Sequence, residues 1–421
     1  ITFKNYNAYK QTALNLSNES SFLVIGKPSK LEGILKTTMG NSLNKVDLKD
    51  YKISGFQLVQ DDAFLHFNGV LKKDKSRSVQ NNSITEVFNV ALDANVLSQA
   101  QFVINHRSKQ KDIVVQDINN KLYLISNKGK ILWKKQLNGN ILGKIDQVDL
   151  YKNGRLQLAF ATSKRVYVID RNGNNVSPFP LRFNDEITQP LSVFDYDNRK
   201  NYRFVVTQNN ALLMYDTRGR NVNGFRYKKS KQTITTQPKH FKISNKDYIV
   251  FAAGNSMKIL NRKGQSRITV KEGIDFSGNE IFKYQNAFTT TTSQGELVQV
   301  NLKGAVSKQS LNLTSNHFIE TTNKTLVSIV ENKLTIKQKS KELDFGNYTR
   351  PKIFYLNDKI YVSLTDLQTQ KIYLFDSQLK AIPNFPVYGN SGIDLANIDL
   401  DHNLEIVTKG EDNSIIIYQK N

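Results

Sequence analysis

Residues 166–183 read VYVIDRNGNNVSPFPLRF, and residues 372–389 read IYLFDSQLKAIPNFPVYG. Both run from β-branched and aromatic residues into an Asp, turn through polar residues, and reach an aliphatic residue and a Phe-Pro. Such a phrase is a strand, a tight turn and the start of a second strand. It recurs. KLYLISNKGKILWKKQL begins at Lys121, RVYVIDRNGNNVSPF at Arg165, ALLMYDTRGRNVNGF at Ala211, SMKILNRKGQSRITV at Ser256 and ELVQVNLKGAVSKQS at Glu296. Their turn glycines, Gly129, Gly173, Gly219, Gly264 and Gly304, lie 44, 46, 45 and 40 residues apart. Weaker copies, KLTIKQKSKELDF from Lys333, KIYLFDSQLKAIPNF from Lys371 and SIIIYQKN from Ser414, bring the count to eight.

A second apolar run precedes each copy, as in DIVVQD at 112, RFVVTQ at 203 and LEIVTKG at 404. Short polar turns link each run to its partner, as in a hairpin. A period of 40–46 residues with three or four strands per unit predicts a β-propeller, because one such sheet cannot bury both faces alone. The chain ends supply a second sign. EVFNVALDANVL (86–97) aligns under ILWKKQLNGNIL (131–142), placing Phe88 under Trp133, while the last copy stops before its outer strand. A ring closed by pairing 86–92 with the C-terminal strand accounts for both and hides the sheet edges. The predicted fold is mostly β, an eight-bladed propeller over 84–421, with seven blades as the alternative if 310–345 is not a unit of its own.

The phrase SNKGKILWKKQL resembles the repeat of quinoprotein-type (PQQ-like) propellers, in which Gly turns the chain and Trp packs between blades. NIDLDHNLEIV (397–407) and VFDYDNRKNYRFVV (193–206) resemble degraded FG-GAP repeats of bacterial envelope propellers. The resemblance covers roughly residues 86–421 and implies architecture far more than activity. It points to the cell envelope, where one such propeller is the lipoprotein scaffold of the outer-membrane β-barrel assembly machinery.

Residues 1–80 lack the period and predict a partial α/β domain. FLVIG (22–26) reads as a buried strand, PSKLEGILKTTMG (28–40) as a helix capped by Ser29 and Glu32, and 55–73 as a hairpin turning near Asp61-Asp62. KKDKSRSVQNNS (72–83) is a polar linker. Ile1-Thr-Phe-Lys reads like the inside of a domain, so further chain, with a signal or lipid anchor, is expected upstream of Ile1.

Fifty-nine Lys and Arg against 37 Asp and Glu give a net charge of +22, suited to nucleic acid, an anionic lipid surface or an acidic partner. The cations sit in nearly every loop and form no single block, which reads as diffuse bias. Basic stretches at 106–111, 225–232 and 337–342 interleave aromatics only at Phe225 and Tyr227, sparse for nucleic-acid stacking. The absence of Cys excludes disulfides, thiolate zinc sites and a Cys nucleophile.

Asp399, Asp401, Asn403 and Glu405 present alternate oxygen ligands of the kind Ca²⁺ takes, and Asp195, Asp197 and Asn201 are a weaker set. The competing reading is a decayed repeat whose Asp side chains cap a turn. The single Trp133 reads as a blade-packing residue and gives no reason to expect a quinone cofactor. His66, His106, His240, His317 and His402 lack metal spacing and read as surface or turn residues. Nucleophile elbows, Walker loops and dinucleotide-binding glycine motifs are absent from the sequence. The expected function is a non-catalytic protein-interaction scaffold, an accessory subunit of a periplasmic or outer-membrane complex, without cofactor, contacting protein subunits and an anionic lipid surface. A carbohydrate or small-ligand binder or hydrolase at the central opening is the alternative, and a nucleic-acid-binding propeller the second.

Overall fold

The computed structural model describes residues 83–420 apart from 315 and 402, and, before them, 20–28, 51–61 and 64–73 with 12, 16, 30, 32, 33 and 37. By contacts the chain divides into a small unit, 1–82 with 353–362 and 375–380, and a large unit holding the rest.

From Ser83 on, the described residues form eight antiparallel sheets in chain order, seven of four strands and one of three. The molecule is a β-propeller. The first sheet runs Gln101–Ile104, Lys111–Gln116, Lys121–Ile125 and Ile131–Gln136, from inner to outer strand. The others cover 142–182, 192–215, 239–268, 282–310, 317–342, 352–388 and 394–420. The 310–345 region holds a regular four-stranded sheet of its own.

The core lies between consecutive sheets. Side chains alternate along a strand, so in the first sheet Ile113 and Val115 pack on Val407, Ile415 and Ile417 of the eighth. Val114 between them packs with Leu158 and Phe160 of the second. Both faces of each middle strand are therefore apolar, which is why these strands read as unbroken hydrophobic runs. The same contacts continue at Ala159 and Val168 with Phe204 and Val206, at Val205 with Ile249 and Phe251, and at Val250 with Phe288.

The ring closes where the sequence predicts. Ile84–Ala91 is the outer strand of the eighth sheet and pairs antiparallel with Ser414–Lys420, Ile417 opposite Phe88 and Ser414 opposite Ala91. A bulge leaves Val87 outside the ladder.

The turn between third and fourth strands repeats one geometry. The Gly173 amide donates to the Asp170 carbonyl (3.1 Å), and Asp170 Oδ1 accepts from the amides of Asn172 (2.8 Å) and Asn174 (2.9 Å). Asp216, Asn261, Asn301 and Asp376 accept in the same way from the residues two and four positions on. Gly173 and Gly264 sit at φ +85° and +71°, the left-handed region that glycine enters freely. An aromatic residue of the preceding sheet or its connection leans on these turns: Phe88 and Trp133 of outer strands on Gly129 and Gly173, and Phe225, after the third sheet's last strand, on Gly264. Trp133 Nε1 also donates to the Arg171 carbonyl (2.7 Å).

Neighbouring inner strands are tied by side chains that reach across to main chain. Asp394 Oδ2 accepts the Phe102 amide (2.9 Å), Gln147 both accepts from and donates to Ile104, and Asn279 does the same with Ile319 and His317. Inner edges that would otherwise lack partners are satisfied.

In the small unit, Phe22–Gly26 and the hairpin Tyr51–Asp61 and Phe64–Lys73 make a three-stranded sheet. The first strand is not buried: Phe22 and Leu23 are exposed, and its pairing with 54–58 leaves it an edge. Ser29, Leu31, Ile34, Leu35, Met39 and Gly40 of the expected helix lie outside the described residues, as does the linker over 74–82.

Candidate interaction surface

Alternating strand directions put the loops joining strands one to two and three to four on one face of the ring, here the upper. The two-to-three turns and the connections between sheets form the lower face.

At the eighth sheet's upper loop the carboxylates of Asp399, Asp401 and Glu405 lie within 4.8 Å of one another. All three already accept protein donors. Glu405 Oε2 takes the Ile398 amide (2.9 Å) and Oε1 the Gln419 side chain (3.3 Å). Asp399 Oδ1 takes the Asp401 amide (3.2 Å), and Asp401 takes the amide and side chain of Asn403. Burial, reinforced by Asp399 and Asp401, pushes the Glu405 carboxyl up. The arrangement caps a tight turn, and a cation would have to share these oxygens with amide donors.

The weaker set is dispersed. Asp195 accepts the amides of Arg199 (3.1 Å) and Lys200 (2.7 Å), Asp197 pairs with Arg262 (2.6 Å), and Asn201 accepts Lys152 Nζ (2.6 Å). In return Lys200 Nζ reaches the buried Asp149 of the second sheet at 2.5 Å. An ammonium bridges these two loops, and it holds Asp149 below the usual carboxylate range against the cost of burial.

Two histidines depart from the surface reading. His317 is buried, bound to the Thr314 carbonyl (2.7 Å) and Thr291 Oγ1 (2.8 Å). His240 lies 2.7 Å from Asp247 with its ring edge-on to Tyr196, and burial lowers its pKa despite the carboxylate. His66 sits half-buried on the hairpin and His106 accepts the Leu156 amide at 3.2 Å; His402 lies outside the described residues.

Sequence reasoning missed two groupings. A cleft of about 350 Å³ opens on the upper face between the third and fourth sheets, lined among others by Tyr196, Arg203, Met214, Arg262 and Lys263. Arg262 bridges Asp197 and Asp247 and stacks 4.9 Å from the Tyr196 ring centre. The Tyr196 hydroxyl is buried without a hydrogen-bond partner. The second grouping is on inner strands, where burial, countered in part by Lys239 and Lys352 and reinforced by Glu280, raises the Glu320 carboxyl to about 7. Lys239 Nζ lies 3.5 Å from Glu280, and Lys352 Nζ 3.0 Å from Asp394. Members of each group come from different sheets and meet only where neighbouring sheets pack together, so no local motif marks either group.

No known protein family matches the chain, and no curated protein matches it. Among solved structures it is similar to BamB from Moraxella catarrhalis, 13% identical with a TM-score of 0.51, over 80% of this chain and 100% of that one. It is also similar to BBS1N, crystallised in complex with ARL6DN, at 12% identity and a TM-score of 0.46 over 80% and 97%. At such identities the likeness is one of fold.

Proposed function

We propose that the chain is a non-catalytic protein-interaction scaffold, an accessory subunit of a cell-envelope complex in the periplasm or at the outer membrane. One observation carries the reading: charged and polar groups that could do chemistry are engaged in holding loops. Asp149, Asp195 and Asp401 cap turns, His317 is bonded on both ring nitrogens, and Arg262 is held by two carboxylates. What such a ring offers a partner is rigidity, since a preformed surface loses little entropy on binding. Likeness in fold to BamB, and the resemblance of the repeats to envelope propellers, support the placement. Protein subunits are the expected partners, and neither a cofactor nor a calcium ion enters the role.

The cleft favours a second reading, a small-ligand site, because an unpartnered buried hydroxyl at Tyr196 stands beside cationic side chains. Tagged full-length chain, cross-linked and purified from its native host, should enrich the same few envelope proteins at low and high salt. Enrichment of nothing beyond a tagged control, or release of everything by salt, would overturn the scaffold reading.

A further inference from the structure

The ring sorts its charge by face. On the upper face, the turn after the third strand carries a cation in each of the first six sheets: Lys128, Arg171, Arg218, Lys263, Lys303 and Lys337. The neighbouring loops add exposed Arg107, Lys109, Lys152, Arg155, Arg199 and Lys246. Many acids among them are engaged: Asp170 and Asp216 accept turn amides, Asp149 is buried against Lys200, and Asp247 holds Arg262. The acidic loop at 399–401 interrupts the basic face at the eighth sheet, and Asp197 and Asp358 add single acids in the loops of the third and seventh. The lower face presents exposed Asp185, Glu186, Asp275, Glu331, Glu411 and Asp412. Its cations cluster in one connection, at Lys228, Lys229 and Lys231, with exposed Lys164, Arg182, Lys271, Lys333, Arg350 and Lys371 spread apart from them. What looked like diffuse bias along the chain is an excess of cations on the upper face, while on the lower face cations and acids are mixed.

We propose that the upper face docks on a membrane surface of anionic lipid headgroups. Basic groups repeated turn after turn around a ring match a sheet of negative charge better than a line of it. Nucleic acid would want a track with stacking rings, and the exposed rings in or beside the described upper loops are Tyr151 and Tyr355, on the second and seventh sheets. Apolar tips accompany the cations: Tyr151 (61% exposed) precedes Lys152, Leu302 (37%) precedes Lys303, and Ile104 (45%) lies three residues before Arg107. A basic residue beside a protruding apolar one suits the headgroup boundary, where the charge meets phosphate and the apolar tip enters the interface. This inference stands apart from the scaffold reading, because the lower face stays free for a protein partner.

The test is co-sedimentation of the full chain with phosphatidylcholine vesicles, alone or mixed with phosphatidylglycerol. Binding is expected only to the mixed vesicles. It should fall steeply between about 0.1 M and about 1 M salt as the screening length shrinks from about 10 Å to about 3 Å. Reversing Lys128, Arg218, Lys263 and Lys303 to Glu should weaken binding about tenfold or more. Reversing Lys228, Lys229 and Lys231 should not, with circular dichroism melts confirming both folds. If the quadruple variant does not fold, Tyr151→Ser with Leu302→Ser serves and should still weaken binding severalfold. The proposal is overturned by no binding to the mixed vesicles at low salt, or by equal losses from upper and lower reversals. Tighter binding to duplex DNA than to vesicles, with the two apolar-tip changes without effect, would overturn it in favour of nucleic acid. Loss of vesicle binding with protein partners retained would leave the scaffold reading standing alone.

Discussion

Glu320 shows how the ring perturbs a single group. Its inner strand brings it beside Lys239 and Lys352, which favour the carboxylate, and Glu280, which opposes it; burial dominates, and the carboxyl titrates near 7. The folded-state value lies above the reference of 4.5. The group's contribution to stability is therefore fully present below about pH 4.5 and is lost as pH rises through about 7. Glu320→Gln, which imitates the neutral acid, should match the wild type in Tm at about pH 4. By about pH 8 it should be the more stable protein, by at most about 3 kcal/mol. Thermal melts of both proteins at the two pH values decide it: a variant less stable at the higher pH would mean that the lysines hold a stabilising carboxylate. Other residues act through geometry alone. Leu379 occupies the turn position of Gly173 at φ +64°, so one copy of the phrase keeps the turn without its glycine. That substitution is why the seventh copy reads as weak.

At the scale of the element, the closing strand is the most exposed point of the design. Ile84–Ala91 holds one edge of Ser414–Lys420, and Phe88 anchors it by lying against Gly129 of the first sheet. Phe88→Ala should loosen the strand by about 1–3 kcal/mol. Amides 414–420 would then exchange faster and the bared edge would raise heat-induced light scattering. Val87→Ala, at the bulged and half-exposed neighbour, should do neither. Equal behaviour of the two variants would mean that closure does not depend on the Phe88 contact. This element was legible in the sequence because the strand and its phrase-mates share a pattern of large residues facing the next turn. The burial of Phe22–Gly26 was misread because an apolar run of five does not say whether a second sheet covers it. His317 was misread for a related reason: the partners that satisfy it, the Thr291 hydroxyl and the Thr314 carbonyl, arrive from neighbouring sheet and loop and leave no spacing signal. A cation one or two positions before each turn glycine was visible all along, but only alternation of strand direction places those turns on one face.

For the molecule as a whole, closure means that each sheet packs on two neighbours, so damage at one place should be felt around the ring. The chain carries a natural reporter, since its single Trp133 stands on the first sheet against Gly173 of the second. Phe288, fully buried in the fifth sheet, packs with Val250 of the fourth and makes no contact with that region of the core. Phe288→Ala removes a large core side chain and should cost about 3–5 kcal/mol. In a closed ring whose sheets each need both neighbours, that loss belongs to the ring and not to the fifth sheet. Denaturant curves followed by Trp133 fluorescence and by far-ultraviolet circular dichroism should then shift together to a lower midpoint with unchanged slope. An open stack of sheets would behave otherwise, because its stability is a sum of local and nearest-neighbour terms and distant units melt on their own. A Trp133 transition that stays at its wild-type midpoint while the dichroism moves would show that the sheets unfold independently, and the rigidity on which both binding faces depend would go with it.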